Sequence, residues 1–296
     1  MTKTAFIAIV GRPNVGKSTL LNAILGEKIA IVSKKPQTTR NRITGVLTHG
    51  ENQFVFLDTP GVHRARTRLG DYMVKTASDT LGSSDAVILV VEPRTEVGDI
   101  EAGILKNVKK AQLPAILVIN KTDTTTAANV AATISAYAAH HTFDAVVPIS
   151  AKHNKGVETV LAECERYMEE SIWFFPEDAI TDMPERQIVA EIVREKLLRV
   201  LDDEIPHGTA VSIEEFTEEK NLVRIRAEIF CERQTHKGII IGKNGATLKT
   251  IGSYAREDIE KFLGQKVFLD LWVKVKENWR DSDVRLRSFG YKDEQC

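Results

Sequence analysis

Residues 11–18 read Gly11-Arg12-Pro13-Asn14-Val15-Gly16-Lys17-Ser18, a fit to GxxxxGK[ST], and they stand between an apolar run at 4–10 and a helical pattern at 17–25. In that setting the pattern is a phosphate cradle. The two glycines bracket a turn whose backbone N–H groups converge on phosphate oxygens, and the helix that follows adds positive potential at its N-terminus. Lys17 is then placed to reach the β and γ phosphates, and Ser18 to hold Mg²⁺. A cradle of this kind needs a buried strand in front of it and a sheet around it, so it constrains the whole N-terminal half.

The same rhythm continues to about residue 170. Apolar runs at 4–10, 53–57, 86–91, 115–119 and 145–148 alternate with helical patterns at 17–25, 69–81, 100–108, 127–140 and 157–168. Four of the runs are almost continuously apolar, as strands buried on both faces are. Strands alternating with helices predict an α/β domain with a mostly parallel sheet, and a polar strand around 38–49 belongs on one edge. A break follows at 172–186, with Pro176, Pro184 and acidic residues. Its Trp173-Phe174-Phe175 cluster is expected to dock the segment rather than to bind a ligand. From 187 the pattern becomes helix (187–204), hairpin (209–217 and 222–231), helical turn (236–241), helix (246–262) and strand (266–275). This divides the chain into a nucleotide domain at 1–172, a linker at 173–186 and an α+β domain at 187–296.

Composition excludes other classes. With 43% hydrophobic residues in 296, two real cores can form. No apolar run approaches the roughly 18–20 residues of a membrane span. The start, MTKTAFIAIVGRPNVGK, lacks the apolar length and cleavage site of a signal peptide. Cys164, Cys231 and Cys296 are scattered and odd in number, as suits a reducing cytoplasm. A net charge of −1 gives no global sign of a nucleic-acid partner.

Three further motifs follow the cradle, each at the end of a predicted strand: Asp58-Thr59-Pro60-Gly61, Asn120-Lys121-Thr122-Asp123 and Ser150-Ala151-Lys152. Ligands of open α/β sheets bind at those carboxyl ends. Asp58 can approach Mg²⁺ through water, and the Gly61 amide can touch a γ-phosphate. The Asp123 carboxylate can accept from N1–H and from the exocyclic amine of guanine, a donor pair that adenine lacks. The Ala151 N–H can donate to guanine O6. Between the first two motifs, Lys35-Pro36-Gln37-Thr38-Thr39-Arg40 offers two threonines that could close over the γ-phosphate and complete the Mg²⁺ shell.

Together GRPNVGKSTLLNAILG, KPQTTR, DTPGVH, NKTD and SAK resemble the nucleotide motifs of the Era family of translation-factor-related GTPases. The related Der GTPases share GRPNVGKS but carry two such domains in tandem, and only one set is present here. The resemblance implies a Ras-like switch that hydrolyses GTP to GDP with Mg²⁺. It selects Thr39 over Thr38 as the metal ligand beside Ser18 and the water-linked Asp58, and it gives Lys17, Thr39, Gly61 and Asn14 as the catalytic set. Ras-type enzymes orient the attacking water with a glutamine just after the DxxG glycine. Here Val62 stands there, and an apolar side chain cannot do that by hydrogen bonding. The resemblance places the chain in a class with this hydrophobic replacement, in which an asparagine equivalent to Asn14 helps hold a K⁺ ion. From the residues alone, Asn14 equally fits a turn-forming role. His63, a lone histidine beside Arg64, Arg66 and Arg68, is expected to be solvated rather than a general base. At these arginines the sequence departs from the family's proline- and lysine-rich pattern.

In the second domain Gly242-Lys243-Asn244-Gly245 is a GXXG loop between two helical segments, within the α-β-β-α-α-β order of a type II KH domain. Such a loop lets a nucleic-acid backbone approach and clamps about four nucleotides. Gly238, Lys243 and Lys249 fit that interface, with Ile239, Ile240 and Ile241 as an apolar floor for bases. Residues 233–287 hold 12 Lys and Arg against 7 Asp and Glu, whereas 187–232 hold 6 against 11, so the basic part surrounds GXXG. Trp279 with Arg280 is expected to stack on bases, and Trp272 to lie in the core. HKGIIIGKNG and LRSFGY also resemble the Era family, with Asn244 where relatives often have glycine. The resemblance implies a monomer that binds the 3′ end of 16S rRNA and assists 16S processing and assembly of the 30S subunit. Peripheral association with the inner membrane is also implied, and with it an alternative role as a membrane-associated signalling GTPase coupling growth to division. No amphipathic anchor or lipidation signal is visible.

Overall fold

The computed structural model describes residues 1–63, 65, 67–202 and 204–291. It divides into two compact units, Met1–Arg66 with Gly70–Asp182, and Met183–Cys296 with Thr67–Leu69. Strands of the first unit are β1 (Lys3–Val10), β2 (Ile43–His49), β3 (Asn52–Asp58), β4 (Ala86–Val91), β5 (Ala115–Ile119), β6 (Ala145–Pro148) and the two-residue β7 (Glu169–Glu170). Its helices are α1 (Lys17–Leu25), α2 (Arg68–Leu81, from Gly70 onward), α3 (Asp99–Ala111), α4 (Ala127–Ala138) and α5 (Val157–Cys164).

The sheet order is β2-β3-β1-β4-β5-β6, parallel except for β2, and β7 pairs with the start of β1. Every residue of β4 and β5 is buried, which is why their sequences are unbroken apolar runs. The polar strand is β2, antiparallel to β3 on the edge, and it begins five residues later than the pattern suggested. Register aligns Ile9 with Asp58, Val91 with Ile119, and Ile119 with Pro148, so the three strand-end motifs and the cradle emerge on one side of the sheet.

The segment after β7 is bonded to this unit. Gln53 Oε1 accepts the backbone N–H groups of Phe174 and Phe175, at 2.9 and 3.1 Å, and Phe174 meets Phe6 edge-on. Val46 N–H donates to Ile180 O at 2.9 Å, and Thr181 Oγ1 to Thr44 O at 2.7 Å, which occupies groups of the edge strand β2 that would otherwise be open.

The second unit contains α6 (Glu185–Val200), β8 (Ala210–Glu219), β9 (Leu222–Cys231), α7 (Gln234–Ile241), α8 (Ala246–Leu263), β10 (Val267–Val275) and α9 (Asp283–Ser288). Its sheet is β10-β9-β8, with β10 parallel and β8 antiparallel to β9. Ile188, Val189, Ile192 and Leu197 of α6 and Ile251, Ala255 and Ile259 of α8 pack against Ile225, Ile229, Val267 and Val273 of the sheet. In β10 the aliphatic parity (Val267, Leu269, Leu271, Val273, Val275) faces that core, so Trp272 falls on the other face. It is 56% exposed, contrary to its expected place in the core. The sequence pattern predicts no helix at the six-residue α9. Among the described residues no helix is long and apolar enough to cross a membrane.

Candidate functional site

Gly16 has φ 100°, and a Cβ there would stand 2.2 Å from Asn120 Nδ2. The cradle therefore closes on the third motif only through a glycine. Lys17 is buried, and its ammonium donates to Gly11 O (3.2 Å) and Arg12 O (3.1 Å). Burial pulls its pKa down to about 8, with the nearby Asp58 opposing the shift. Ser18 Oγ donates to Asp58 Oδ2 at 2.6 Å, so its single proton is used, and Thr39 Oγ1 at 2.8 Å is the donor to Ser18. Thr38 is turned elsewhere, donating to Lys35 O.

Burial raises the Asp58 pKa to about 6, against the pull of Lys17 and the Ser18 hydrogen bond. Its second oxygen, Oδ1, is buried without a hydrogen-bond partner among the described residues. Two hydroxyls and a desolvated carboxylate with an orphaned oxygen form a hard, oxygen-only donor set, and they fit Mg²⁺. Thr59 Oγ1 donates to Ile9 O of β1 (2.9 Å), and the Val62 N–H donates to Gly11 O of the cradle (3.3 Å). Pro60 is buried between them in sequence. The Val62 side chain packs against the apolar cluster of β1, β4, β5 and α3.

Asn120 joins the remaining motifs. Its Nδ2 donates to Val15 O at 2.8 Å, and its Oδ1 accepts the Ala151 N–H at 3.0 Å. The Ala151 N–H, expected to serve guanine O6, is thus given to Asn120 in this structure. Asp123 Oδ1 accepts from Ser150 Oγ at 2.5 Å, and that hydrogen bond holds the carboxyl below the usual carboxylate range. Lys121, at φ 64°, donates to Asn14 O at 2.6 Å and pairs with Glu92, while Thr122 Oγ1 donates to Ile149 O. Asn120, Lys121, Asp123 and Lys152 line a cavity of about 540 Å³, with Pro13, Asn14, Gln37, Thr39 and Gly61 on its other walls.

Asn14 sits at φ 65°, and its Nδ2 donates to Lys34 O at 2.7 Å. Its backbone is thus that of a turn residue. Arg12 pairs with the buried Glu101 of α3 and, at 3.7 Å, with Glu92. These two glutamates fasten the cradle from behind and were not singled out from sequence, although Glu92 follows β4 at the sheet's ligand-binding end. His63 was expected to be solvated. It is half-buried, with Nδ1 2.9 Å from Gly61 O and Nε2 3.2 Å from the Gln37 side-chain nitrogen. Arg64 and Arg66 lie outside the described residues, as does Cys296. Arg68 opens α2.

In the second unit the GXXG residues connect α7 to α8. Gly242 has φ 73°, and a Cβ there would lie 2.2 Å from Thr247 Oγ1, so only glycine fits. Asn244 is at φ 51°, a conformation that asparagine tolerates better than most residues and that explains why glycine suits the same position. Lys243, Asn244, Lys249 and Gly238 are exposed, and Gly245 is half-buried. Of the apolar floor, Ile239 is 50% exposed and Ile241 half-buried, but Ile240 belongs to the core. Trp279 and Arg280 correct the expected stacking pair. The indole is fully buried, donates to Gly208 O at 2.9 Å and packs against Phe289 and Tyr291, while Arg280 pairs with Glu232. A ring enclosed in this way has no face to offer a base.

A family model described as a 50S ribosome-binding GTPase matches residues 6–121, and a KH-domain model matches 204–280. GTPase Era of Ruminiclostridium cellulolyticum is 49% identical over 98% of this chain and 98% of its own. The chain belongs to the Era family of GTPases. GTPase Era of Clostridium kluyveri is 50% identical over 99% of this chain and 100% of its own. An Era variant from Aquifex aeolicus bound to GDP and aluminium fluoride matches at a TM-score of 0.95 and 40% identity, covering 99% of this chain and 100% of that one. A second Era structure, in complex with MgGDPNP and nucleotides 1506–1542 of 16S ribosomal RNA, matches with the same score, identity and coverage. The Era fold accounts for both units, a P-loop GTPase domain with a mostly parallel sheet followed by a KH domain.

Proposed function

We propose that this Era-family chain is a GTP-hydrolysing switch that binds the 3′ end of 16S rRNA and assists 16S processing and 30S assembly. Nucleotide chemistry is assigned to residues 1–172, RNA binding to 187–296, and a connecting role to 173–186. The observation that carries the reading is the Ser18–Thr39–Asp58 oxygen cluster, with its orphaned carboxylate oxygen, at the edge of a nucleotide-sized cavity. The solved relative with MgGDPNP and a 16S fragment supports it.

In this reading Ser18 and Thr39 hold Mg²⁺, Asp58 approaches it through water, and Lys17 leaves its carbonyl partners for the β and γ phosphates. The metal, when bound, neutralises charge on the phosphates. The Gly61 N–H steadies the γ-phosphate. Asp123, kept ionised by Ser150, selects guanine. Asn14 has no described donor on its Oδ1 and can offer that oxygen to K⁺, a cation placed to stabilise developing charge. Lys243, Asn244 and Lys249 meet the RNA backbone around the close-approach glycines, with Ile239 and Ile241 beneath the bases.

Phosphate release from GTP in Mg²⁺ and K⁺, together with anisotropy of a labelled 16S 3′-end RNA, tests both halves. Absence of turnover overturns the switch, and absence of RNA binding overturns the second assignment. Maturation of 16S rRNA in depleted cells tests the 30S role. Flotation with liposomes in the absence of RNA would favour the membrane-signalling alternative.

A further inference from the structure

Val62 leaves the attacking water without a side chain to orient it, and the geometry points to Gln37 as the residue that does so. Gln37 stands two residues before Thr39 and lines the same cavity as Lys17, Thr39 and Gly61. Its backbone is held at φ 57°, a costly conformation for a residue with a long side chain, of the kind that persists at functional sites where surroundings over-determine it. Of its polar neighbours, Thr38 Oγ1 is turned to Lys35 O and the Asn14 amide nitrogen to Lys34 O. Val62 is packed on the core.

His63 fixes which end of the Gln37 amide faces where. Gly61 O can only accept, so His63 Nδ1, 2.9 Å away, carries the ring proton in the neutral imidazole. Nε2 is then a bare acceptor, and it takes an N–H from the Gln37 amide at 3.2 Å. The amide oxygen is on the other fork, and no described donor reaches it. The chain of bonds runs from Gly61 O through the imidazole to an amide whose oxygen is left to accept a hydrogen bond from water. An amide so anchored can orient water from the loop before Thr39, doing what a glutamine after the DxxG glycine does in Ras-type enzymes.

This assignment rests on the hydrolysis reading above. In the step, the water oxygen forms a bond to the γ-phosphorus as the bond from phosphorus to the β–γ bridging oxygen breaks. The bridging oxygen leaves on GDP with the electron pair, and the water's proton passes to a γ-phosphate oxygen. Gln37 neither gains nor loses a proton. It is the catalytic residue, and His63 is a positioning residue that acts through it.

Single-turnover GTP hydrolysis and fluorescent GDPNP binding by the full chain, for wild type, Gln37→Ala, Gln37→Leu, His63→Ala and the Gln37→Ala/His63→Ala double variant, test it. Gln37→Ala and Gln37→Leu should slow turnover about 100-fold, the scale on which misplacing a reacting group costs rate. GDPNP affinity, which also reports folding, should stay within about threefold, as for a group that acts only in the transition state. His63→Ala should slow the wild type about tenfold but should not slow the Gln37→Ala background further, a non-additivity expected of residues acting as a unit. Wild-type turnover that survives in both Gln37 variants overturns the assignment while leaving the hydrolysis reading intact. Independent losses in the double variant overturn the His63 role. A wild type that binds GDPNP but never turns over GTP overturns the hydrolysis reading itself.

Discussion

Replacing Asp123 with Asn should reverse the base preference, and the structure says why the effect is larger than the loss of a charge. Ser150 Oγ donates to Asp123 Oδ1 at 2.5 Å. In Asp123→Asn the same hydroxyl holds the amide oxygen at that place, so the amide NH₂ takes the position of Oδ2. Guanine presents two donors to this side chain, and one of them then meets the NH₂ donor to donor. One charge-assisted hydrogen bond is lost outright, the other weakens because its acceptor is no longer ionised, and two donors are left facing each other. Together these losses should raise Kd for GTP on the order of a thousandfold. Xanthine carries a carbonyl in place of the exocyclic amine, which the amide can meet with its N–H, so XTP should gain affinity. Competition of GTP and XTP against a fluorescent guanine nucleotide measures both. GTP affinity within about threefold of wild type, with no gain for XTP, would refute the assignment of Asp123 and the orienting role of Ser150. Ser150→Ala, which removes one neutral donor from an exposed carboxylate, should weaken GTP only about five- to tenfold.

Turnover should be faster in K⁺ than in Na⁺ at matched ionic strength, and Asn14→Ala should abolish the difference; equal rates in both salts would leave Asn14 a turn residue only. Changing Lys243 and Asn244 both to Asp alters the charge facing a phosphate backbone by three units, and at about 1 kcal/mol each in water this should weaken RNA binding roughly 100-fold. Guanine-nucleotide affinity should be unchanged in that variant, and undiminished RNA binding by anisotropy would sink the GXXG interface. Trp279→Ala should destabilise the second unit by about 3–5 kcal/mol in urea melts, the cost of emptying a fully buried aromatic site; a loss of RNA affinity without loss of stability would restore the stacking role. If GTP and GDP forms differ in RNA affinity, RNA must alter the GTP-to-GDP affinity ratio by the same factor, and titrations in both directions check it.

The runs that became β1, β3, β4 and β5 were legible because a strand buried on both faces is apolar almost throughout, and that is a local property. The cradle, the strand-end motifs and GXXG were legible for a related reason. Each depends on backbone turns and on donors contributed by consecutive residues. The parity of β10 was also written in the sequence, since five aliphatics at 267, 269, 271, 273 and 275 left Trp272 on the opposite face. What the residues in order could not decide was who partners whom across the fold. Nothing local to Trp279 marks it as core, and only the closing of the C-terminal residues Phe289 and Tyr291 over it buries the ring. The Ala151 N–H was free for a base until Asn120, 31 residues away, took it. Glu101 and Arg12, or Gln37 and His63, carry no signal of their pairing, because hydrogen bonds and ion pairs act over a few ångströms in space and are indifferent to separation along the chain. Hydrophobic period and turn chemistry specified the elements of this Era-family chain, and the packing of those elements decided which polar groups were spent on one another and which were left to meet a ligand.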